Sequence, residues 1–237
     1  MIMSGTIVNT AAVLIGGGAG LLAKKAIKKE MQDSLMKALG IAVIFLGASG
    51  ALAGMLKSDG NGGFEVQGTM LMILSLTLGT IVGELLKIED GMELLGEKLK
   101  KLFHADSDNL FVQGFVTNAL VVCVGAMAVV GSIQDGIEHD PSTLYAKAVL
   151  DAMISAVFAA SLGIGTLFAA VPLFLYQGSI TLLAGWAAPF FTEEVIRNIS
   201  FVGYILISAV GVNLLFGKTV KVGNMLPALI FAVLPGL

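Results

Sequence analysis

Charged side chains are scarce in this sequence, where Asp, Glu, Lys and Arg together make up 13% of 237 residues. Soluble domains carry about a quarter of their residues charged, so an ordinary soluble globular domain is excluded. Aromatic residues contribute 7%, which is too few for a core filled mainly by large rings. The sequence therefore needs an apolar solvent and a packing mode that does not depend on aromatic side chains.

Cysteine and basic residues are equally sparse, and their scarcity removes several classes of function. The single Cys123 allows neither a disulfide framework nor a cysteine metal cluster, and a small buried packing role is expected for it. The net charge of -3 leaves no basic surplus for nucleic acid. The glycine run 16–20 lacks the Gly-Lys-Ser/Thr ending of a phosphate loop, and we find no nucleophile elbow or zinc-binding helix motif. We expect no enzyme, no metal and no cofactor.

Long uncharged stretches are what the sequence has instead. Hydrophobic residues make up 56%, the mean hydropathy is +0.91, and 30 residues are glycine. A helix that spans a bilayer needs about 20 apolar residues, and glycine allows such helices to pack closely. These features predict an all-α polytopic transmembrane bundle, one membrane domain over residues 1–237, with about eight spans near 4–23, 35–56, 66–86, 110–133, 145–170, 173–190, 199–217 and 222–237.

The uncharged stretch 152–192 decides whether the count is eight. It is too long for one span, and we predict two helices separated at Val171–Pro172, where proline removes a backbone donor. Interrupted or re-entrant half-helices, a form used at transport sites, are the alternative. Weak echoes at 5–9, 79–83 and 211–215 also fit repeated helical hairpins.

Lysine and arginine accumulate in cytoplasmic loops, so their distribution predicts orientation. Three basic residues, Lys57, Lys147 and Arg197, fall in loops of one parity. Eleven fall in the other, which places the N-terminus outside. The eleven are Lys24, Lys25, Lys28, Lys29, Lys37, Lys87, Lys98, Lys100, Lys101, Lys218 and Lys221.

Segment 89–103 is expected to be an amphipathic helix on the cytoplasmic surface or a solvated connector.

A series of short motifs resembles the YqgA/YdfK-like family of uncharacterised bacterial inner-membrane proteins over essentially the whole chain. The resemblance implies a multi-pass protein of the inner membrane and a candidate transport role, without an established substrate. The motifs lie at 5–10, 16–18, 83–90, 113–117, 134–136, 146–151, 161–165, 175–178 and 224–229.

Ionisable groups inside a span cost about 2.5–3.5 kcal/mol at its centre and are candidate functional residues for that reason. Glu84 and Asp151 are the two carboxylates predicted within spans, near their ends. Their structural alternatives are pairing with Lys87 and with Lys147, respectively, on one helix face.

Neutral amides complete the candidate binding set with Asn9, Asn118, Gln177 and Asn213. Their structural alternative is hydrogen bonding between helices. If they converge with the carboxylates, their oxygen atoms suit a hard cation or an ammonium group, and a buried carboxylate could exchange a proton.

The leading hypothesis is a secondary transporter or channel-like permease for a small solute or ion. A membrane scaffold or assembly protein without transport activity is the alternative. Lipid is the expected partner together with a small solute or cation, and glycine-rich faces leave both a monomer and a homo-oligomer open. Convergence of the six candidate residues on a solvated cavity would favour transport, whereas dry helix contacts would favour a scaffold.

Overall fold

The computed structural model describes residues 3–24, 29–60, 62–103, 105, 109–123, 126–187, 189 and 191–233. Helices dominate these residues, which confirms the predicted all-α class. The helices are α1 Ser4–Lys24, α2 Lys29–Met55, α3 Thr69–Leu86, α4 Ile88–Leu102, α5 Phe111–Cys123, α6 Ala126–Ile137, α7 Ser142–Leu162, α8 Ala170–Ala187, α9 Glu193–Phe216, α10 Val222–Met225 and α11 Ala228–Phe231. A short antiparallel hairpin joins β1 Leu56–Ser58 to β2 Phe64–Val66.

Six described helical segments are long and apolar enough to cross a membrane, and α5 with α6 forms a bent pair that could supply a seventh crossing. The axes of that pair differ by 61°. The eighth predicted span, 222–237, is the short pair α10 and α11 as far as residue 233, and residues 234–237 lie outside the described part. Lys25 and Lys28 of the predicted first basic loop also lie outside it. The six segments are α1, Met36–Met55, α3, α7, Ile164–Trp186 and α9.

Two long helices occupy the uncharged stretch 152–192, but the break between them was predicted at the wrong place. It occurs at Gly163, whose φ of 90° is a value that side chains disfavour, and a 3-10 helix, Ile164–Ala169, follows. Pro172 is instead the third residue of α8. A helix leaves its first N–H groups without internal partners, so proline costs little there.

Close packing divides the chain into two compact units. The first unit comprises residues 1–38, 92–123 and 127–190. Here α1 lies along α7 at short range because glycine faces its backbone: a Cβ on Gly16 would be 2.1 Å from the Ala152 carbonyl oxygen, and one on Gly20 would be 2.0 Å from that of Ala156. The buried apolar core between α1, α5 and α8 contains Val13, Ala119, Val122, Ala169, Ala170 and Leu173.

The second unit comprises residues 39–91, 124–126 and 191–237. In this unit α3 packs against α10 and α11, and a Cβ on Gly83 would be 1.8 Å from the Asn224 carbonyl oxygen. The buried core contains Leu71, Phe201, Val202, Ala228 and Ala232. Small residues on α3 therefore let the short helices α10 and α11 approach closely.

The segment predicted as amphipathic is helical, as α4. It places three large apolar side chains, Leu94, Leu95 and Leu102, at exposed positions, and the exposed Phe103 follows directly after it, while its last turn carries Lys100 and Lys101. An exposed apolar face next to lysines is typical of a helix at a membrane surface, and that location stays a prediction.

Candidate functional site

An ion pair lies inside α7, in the first unit. Lys147 and Asp151 are one helical turn apart, and the ammonium of Lys147 contacts Oδ2 of Asp151. Both residues are buried, at 6% and 4% exposure. The Lys147 Nζ atom also donates a hydrogen bond of 2.7 Å to the carbonyl oxygen of Val122. That carbonyl belongs to the last turn of α5, where a helix has no internal donors left, so the ammonium caps α5 while pairing with Asp151.

Two amides from other helices complete this cluster. Asn9 of α1 donates through Nδ2 to Oδ2 of Asp151 at 3.0 Å and to Oε1 of Gln177 at 3.2 Å. Gln177 belongs to α8, and both amide side chains are fully buried. We call the four residues Asn9, Lys147, Asp151 and Gln177 the polar centre. Three of them were candidate site residues, and the structure brings these three together.

The polar centre is incomplete as a hydrogen-bond network. Oδ1 of Asn9 and Nε2 of Gln177 are buried and have no protein partner. Buried polar atoms in native proteins are nearly always satisfied by protein, water or a bound group. One free acceptor and one free donor next to an ion pair therefore mark this cluster as a place where a small polar species can bind.

Asn118, the fourth candidate in the first unit, lies in a neighbouring layer. Its Nδ2 atom donates to Oγ of Ser155 and to the carbonyl oxygen of Thr166, both at 3.0 Å. Ser155 is one turn after Asp151 on α7, so this layer adjoins the polar centre. The hydroxyl oxygen of Thr166 is buried without a partner. Asn118 thus connects α5 to α7 and to the 3-10 helix.

A second buried carboxylate, Asp135 of α6, binds the first turn of α1. It accepts the backbone N–H of Gly5 at 3.0 Å and is fully buried. A carboxylate at a helix N-terminus satisfies free donors and interacts favourably with the helix dipole. One residue further along α1, the hydroxyls of Thr6 and Thr181 are 3.4 Å apart. Buried polar groups therefore follow α1 from its first turn to Asn9.

Glu84 and Asn213 belong to the second unit and have their own partners there. Glu84 is exposed and pairs with Lys221 at 3.1 Å, whereas pairing with Lys87 was the structural alternative considered. Asn213 accepts the N–H groups of Thr219 and Val220 and donates to the Val220 carbonyl. The Asn213 amide thus folds the turn after α9, and Glu84 is an ion-pair partner at the end of α3.

The most buried carboxylate contacts of the second unit involve Glu89, at the start of α4. Its side chain accepts the N–H of Gly223 at 3.0 Å and pairs with Lys218 at 2.9 Å. Its own N–H donates to Oδ1 of Asn224 at 2.8 Å. These reciprocal bonds attach α4 to α10. Among the described residues, no group of three His, Cys, Asp or Glu side chains could hold a metal ion.

The model of a protein family of unknown function, DUF554, matches residues 4–235 of the chain. The chain belongs to this family. It is 32% identical over 228 residues to the uncharacterized membrane protein YdfK of Bacillus subtilis (strain 168), covering 96% of this chain and 93% of that protein. It is 28% identical over 233 residues to the uncharacterized protein YqgA of Escherichia coli (strain K12), covering 97% and 94%. No solved structure matches the chain.

Membership in DUF554 confirms the resemblance drawn from the motifs, and the chain is a membrane protein with several apolar helices. Two buried charged residues, Lys147 and Asp135, were not among the candidate site residues. Lys147 was counted with the loop lysines, but its pairing with Asp151 on one helix face was the structural alternative for Asp151, and the structure contains that pair. Asp135 follows directly after an uncharged run, and that position was the available signal that its side chain could reach into the bundle.

Proposed function

We propose that this DUF554 protein is a secondary transporter or channel-like permease for a small solute or ion, and that the polar centre is its binding site. The observation that carries the proposal is the pair of buried atoms without partners, Oδ1 of Asn9 and Nε2 of Gln177. They adjoin the buried ion pair of Lys147 and Asp151. A bound species that accepts from one amide and donates to the other would complete the network.

A bound species would offset the energetic cost of the polar centre. An unsatisfied buried polar atom costs about 1–3 kcal/mol, and a charged group in the bilayer centre costs about 2.5–3.5 kcal/mol on insertion scales. A network that served only to hold helices together would gain from closing every bond. The polar centre leaves two bonds open, which is the arrangement expected of a site that acquires its last partners from a ligand.

Interrupted helices next to the polar centre support this proposal. The carbonyl of Val122 is available to Lys147 because α5 ends at Cys123, and α7 ends at Leu162 before the 3-10 helix. Discontinuous helices with free backbone groups recur at the binding sites of secondary transporters. The Lys147 ammonium is therefore bound to the open end of α5, where small backbone rotations change which groups face the site.

We further propose a bacterial inner-membrane location with the N-terminus outside. The basic residues support this orientation: Lys147 is buried in α7, so only Lys57 and Arg197 are left on the side that the charge rule places outside. The orientation requires the bent pair α5 and α6 to cross the bilayer. Cysteines placed at Asp140 and at Lys98 in a Cys123→Ala background should then react with an impermeant maleimide from opposite sides.

Transport is tested with purified protein in proteoliposomes, using panels of radiolabelled amino acids, sugars, amines and inorganic ions. We expect flux above empty vesicles for at least one species and its loss in Asp151→Asn. Asp140→Asn is the matched control, because this carboxylate is exposed and Ser142 is its partner. Folded wild-type protein that moves no member of any panel would refute the proposal.

A membrane scaffold is the second candidate, and one observation favours it. Both protons of the Asn118 amide have acceptors in the protein, Ser155 and the Thr166 carbonyl, in a buried contact between helices. Under that hypothesis the buried polar residues only join helices. Asp151→Asn would then lower the stability of the protein without any change in flux. Neither candidate function, transporter or scaffold, includes catalysis.

A further inference from the structure

An apolar groove lies on the surface of the first unit, between α1 and residues 164–175. Its volume is about 440 Å³, within the range of about 300–1,000 Å³ that ligand pockets occupy. α1 contributes Thr10 and Leu14 to its lining, and the other lining side chains are all apolar. The hydroxyl of Thr10 donates to the carbonyl oxygen of Thr6 on its own helix. A lining of this composition suits a hydrocarbon chain rather than a polar solute.

The bilayer supplies such a chain. Both walls of the groove belong to helical segments that are long and apolar enough to span a membrane, Ser4–Lys24 and Ile164–Trp186. The side chains of Leu14, Val171 and Leu175 are exposed, so the groove is open rather than enclosed. A spanning helix is surrounded by lipid acyl chains, and a chain that fills the groove gains the dispersion contacts that an empty groove forfeits. Lipid hydrocarbon is therefore the occupant that matches this groove.

One end of the groove leads to a lysine of α1. Gly17 faces the groove residue Leu167, since a Cβ on Gly17 would lie 2.6 Å from Cδ1 of that leucine. Lys24, in the last turn of α1, is seven residues after Gly17. A separation of seven residues returns to the same helix face two turns further on, a rise of about 10 Å. The face of α1 that meets the groove therefore ends at a basic residue.

A second lysine comes to the groove from α4. The ring of Phe168, which lines the groove, lies against the ring of Phe103, with centroids 4.6 Å apart. Phe103 continues the geometry of α4, because its N–H donates to the carbonyl of Leu99 at 3.0 Å. Lys100 is three residues before Phe103 and shares its helix face. The aromatic contact thus places the basic last turn of α4, which carries Lys100 and Lys101, beside the groove.

Both lysines belong to the same end of the groove. α1 and α7 run in the same direction, because successive glycines of α1 face successive residues of α7, up to Gly20 against Ala156. The last turns of α1 and α7 are thus at one level, and the 3-10 helix that follows α7 begins there. Near its start a Cβ on Gly165 would lie 1.9 Å from the carbonyl oxygen of Phe111, the first residue of α5. The end of α4 and the start of α5 therefore meet the groove where α1 stops.

The two lysines leave positive charge for a ligand. Among the described residues, neither Lys24 nor Lys100 forms an ion pair. Glu97 is one turn before Lys101, and the stretch 97–101 still has a net charge of +2 from three lysines and one glutamate. Lysines next to a membrane attract anionic headgroups, and phosphate oxygens accept strong hydrogen bonds from an ammonium. The apolar groove and its basic end thus match the two parts of a phospholipid.

We propose that this groove binds one anionic phospholipid, with an acyl chain along Leu14 and residues 164–175 and the phosphate at Lys24 and Lys100. The inference goes beyond the proposed function, because such a lipid site stands whether or not the polar centre transports a solute. In the proposed orientation the lipid belongs to the cytoplasmic leaflet. Its acyl chain lies against α1 at Thr10, the residue after Asn9, so the bound lipid supports the helix that carries part of the polar centre.

Native mass spectrometry measures this binding directly. Delipidated protein in mild detergent is titrated with phosphatidylglycerol, and phosphatidylcholine with the same acyl chains is the neutral comparison. We expect one phosphatidylglycerol retained per chain at an affinity roughly 30-fold above that of phosphatidylcholine, because two lysines contribute about fivefold each. Inorganic phosphate should not displace it, since the acyl chain is part of the bound group. Displacement by phosphate, or equal retention of the two lipids, overturns the proposal.

Lys24→Gln combined with Lys100→Gln tests the basic end of the groove. The affinity for phosphatidylglycerol should fall to that for phosphatidylcholine, and the affinity for phosphatidylcholine should not change. Lys98→Gln is the matched control, because Lys98 is exposed on the same helix but lies about 200° around the helix axis from Lys100. It should retain the wild-type affinity. An equal loss in Lys98→Gln would show attraction to surface charge in general and would overturn the site.

Val171→Trp tests the apolar part of the groove. The larger side chain fills the groove, so the affinity for both lipids should fall at least tenfold. Val149→Trp is the matched control, because Val149 is exposed on α7 and is not part of the groove lining. Undiminished retention of both lipids by folded Val171→Trp overturns the proposal.

Gel filtration verifies that the variants fold. Should Val171→Trp fail to fold, a phosphatidylglycerol with a photoreactive diazirine in its acyl chain decides the question on the wild-type protein. Crosslinks should map to Leu14 or to residues 164–175. Crosslinks confined to other segments overturn the proposal.

Discussion

Asn9 of α1 donates a hydrogen bond of 3.0 Å to Asp151 of α7, although 142 residues separate them in the sequence. The same amide nitrogen also donates to Gln177, so one side chain connects three helices. The bond is possible because Gly16 and Gly20, two and three turns further along α1, let its backbone approach α7. The close approach of α1 to α7 therefore also brings Asn9 to Asp151 in the polar centre.

A double substitution separates the role of the ion pair in transport from its contribution to stability. Asp151→Asn alone or Lys147→Met alone leaves one buried group without its partner and should reduce stability by about 3–5 kcal/mol. Lys147→Met combined with Asp151→Leu removes both charges, and stability should return to within about 1 kcal/mol of wild type. Thermal unfolding in detergent measures the effect, and the double variant should be folded and inactive. Full transport by that variant would exclude the ion pair from the site.

Asn9→Leu tests the amide that connects the three helices. It removes the donor to Asp151 and to Gln177 while keeping four side-chain heavy atoms in the same branched arrangement, and we expect a loss of about 1–3 kcal/mol of stability. Thr10→Val is the matched control, since the hydroxyl of Thr10 donates to the carbonyl of Thr6 on its own helix. Chemical denaturation of both variants gives the comparison. Equal stability would mean that the bonds of Asn9 contribute nothing net.

The approach of α1 to α7 depends on two glycines. Gly16→Ala and Gly20→Ala would each place a methyl group against a backbone carbonyl, at 2.1 Å and 2.0 Å, and overpacking of this kind costs about 1–3 kcal/mol. A Cβ on Gly18 meets nothing within 4 Å, so Gly18→Ala should be neutral or stabilise the helix by about 0.5–1 kcal/mol. Melting temperatures of the three variants should show this order. A destabilised Gly18→Ala would contradict the packing described.

We expect Glu89 to keep the short helix α10 folded. Glu89→Ala removes the acceptor of the Gly223 N–H and the partner of Lys218, so residues 222–225 should exchange their amide hydrogens roughly tenfold faster. Asp90→Ala, in the same turn of α4 but exposed, should leave exchange unchanged. Hydrogen–deuterium exchange with mass spectrometry resolves this segment. Unchanged protection in Glu89→Ala would show that α10 is held by apolar packing alone.

The candidate site could be predicted only in part, and the failures have physical causes. An ionisable residue in an apolar run is conspicuous, which is why Asp151 and Glu84 were both selected. What distinguishes them is the partner that each one meets. Asp151 meets Lys147 and the amide of Asn9 in a buried contact, whereas Glu84 lies near the end of α3 and reaches Lys221. The pairing of Asp151 with Lys147 follows from spacing along α7, but the contacts with Asn9 and with Lys221 do not.

The sequence by itself determined the membrane class, the family and most of the long helices, since these depend on local composition: an uncharged run either matches the bilayer thickness or it does not. Tertiary structure decided the rest. It places the break at Gly163 instead of Pro172, reduces the last predicted span to α10 and α11 as far as it is described, and buries Lys147 in its pair with Asp151. It also selected three of six candidate residues for the polar centre. Such choices depend on which helix faces meet, and that is set by close contacts such as those of Gly16 and Gly20, not by hydropathy.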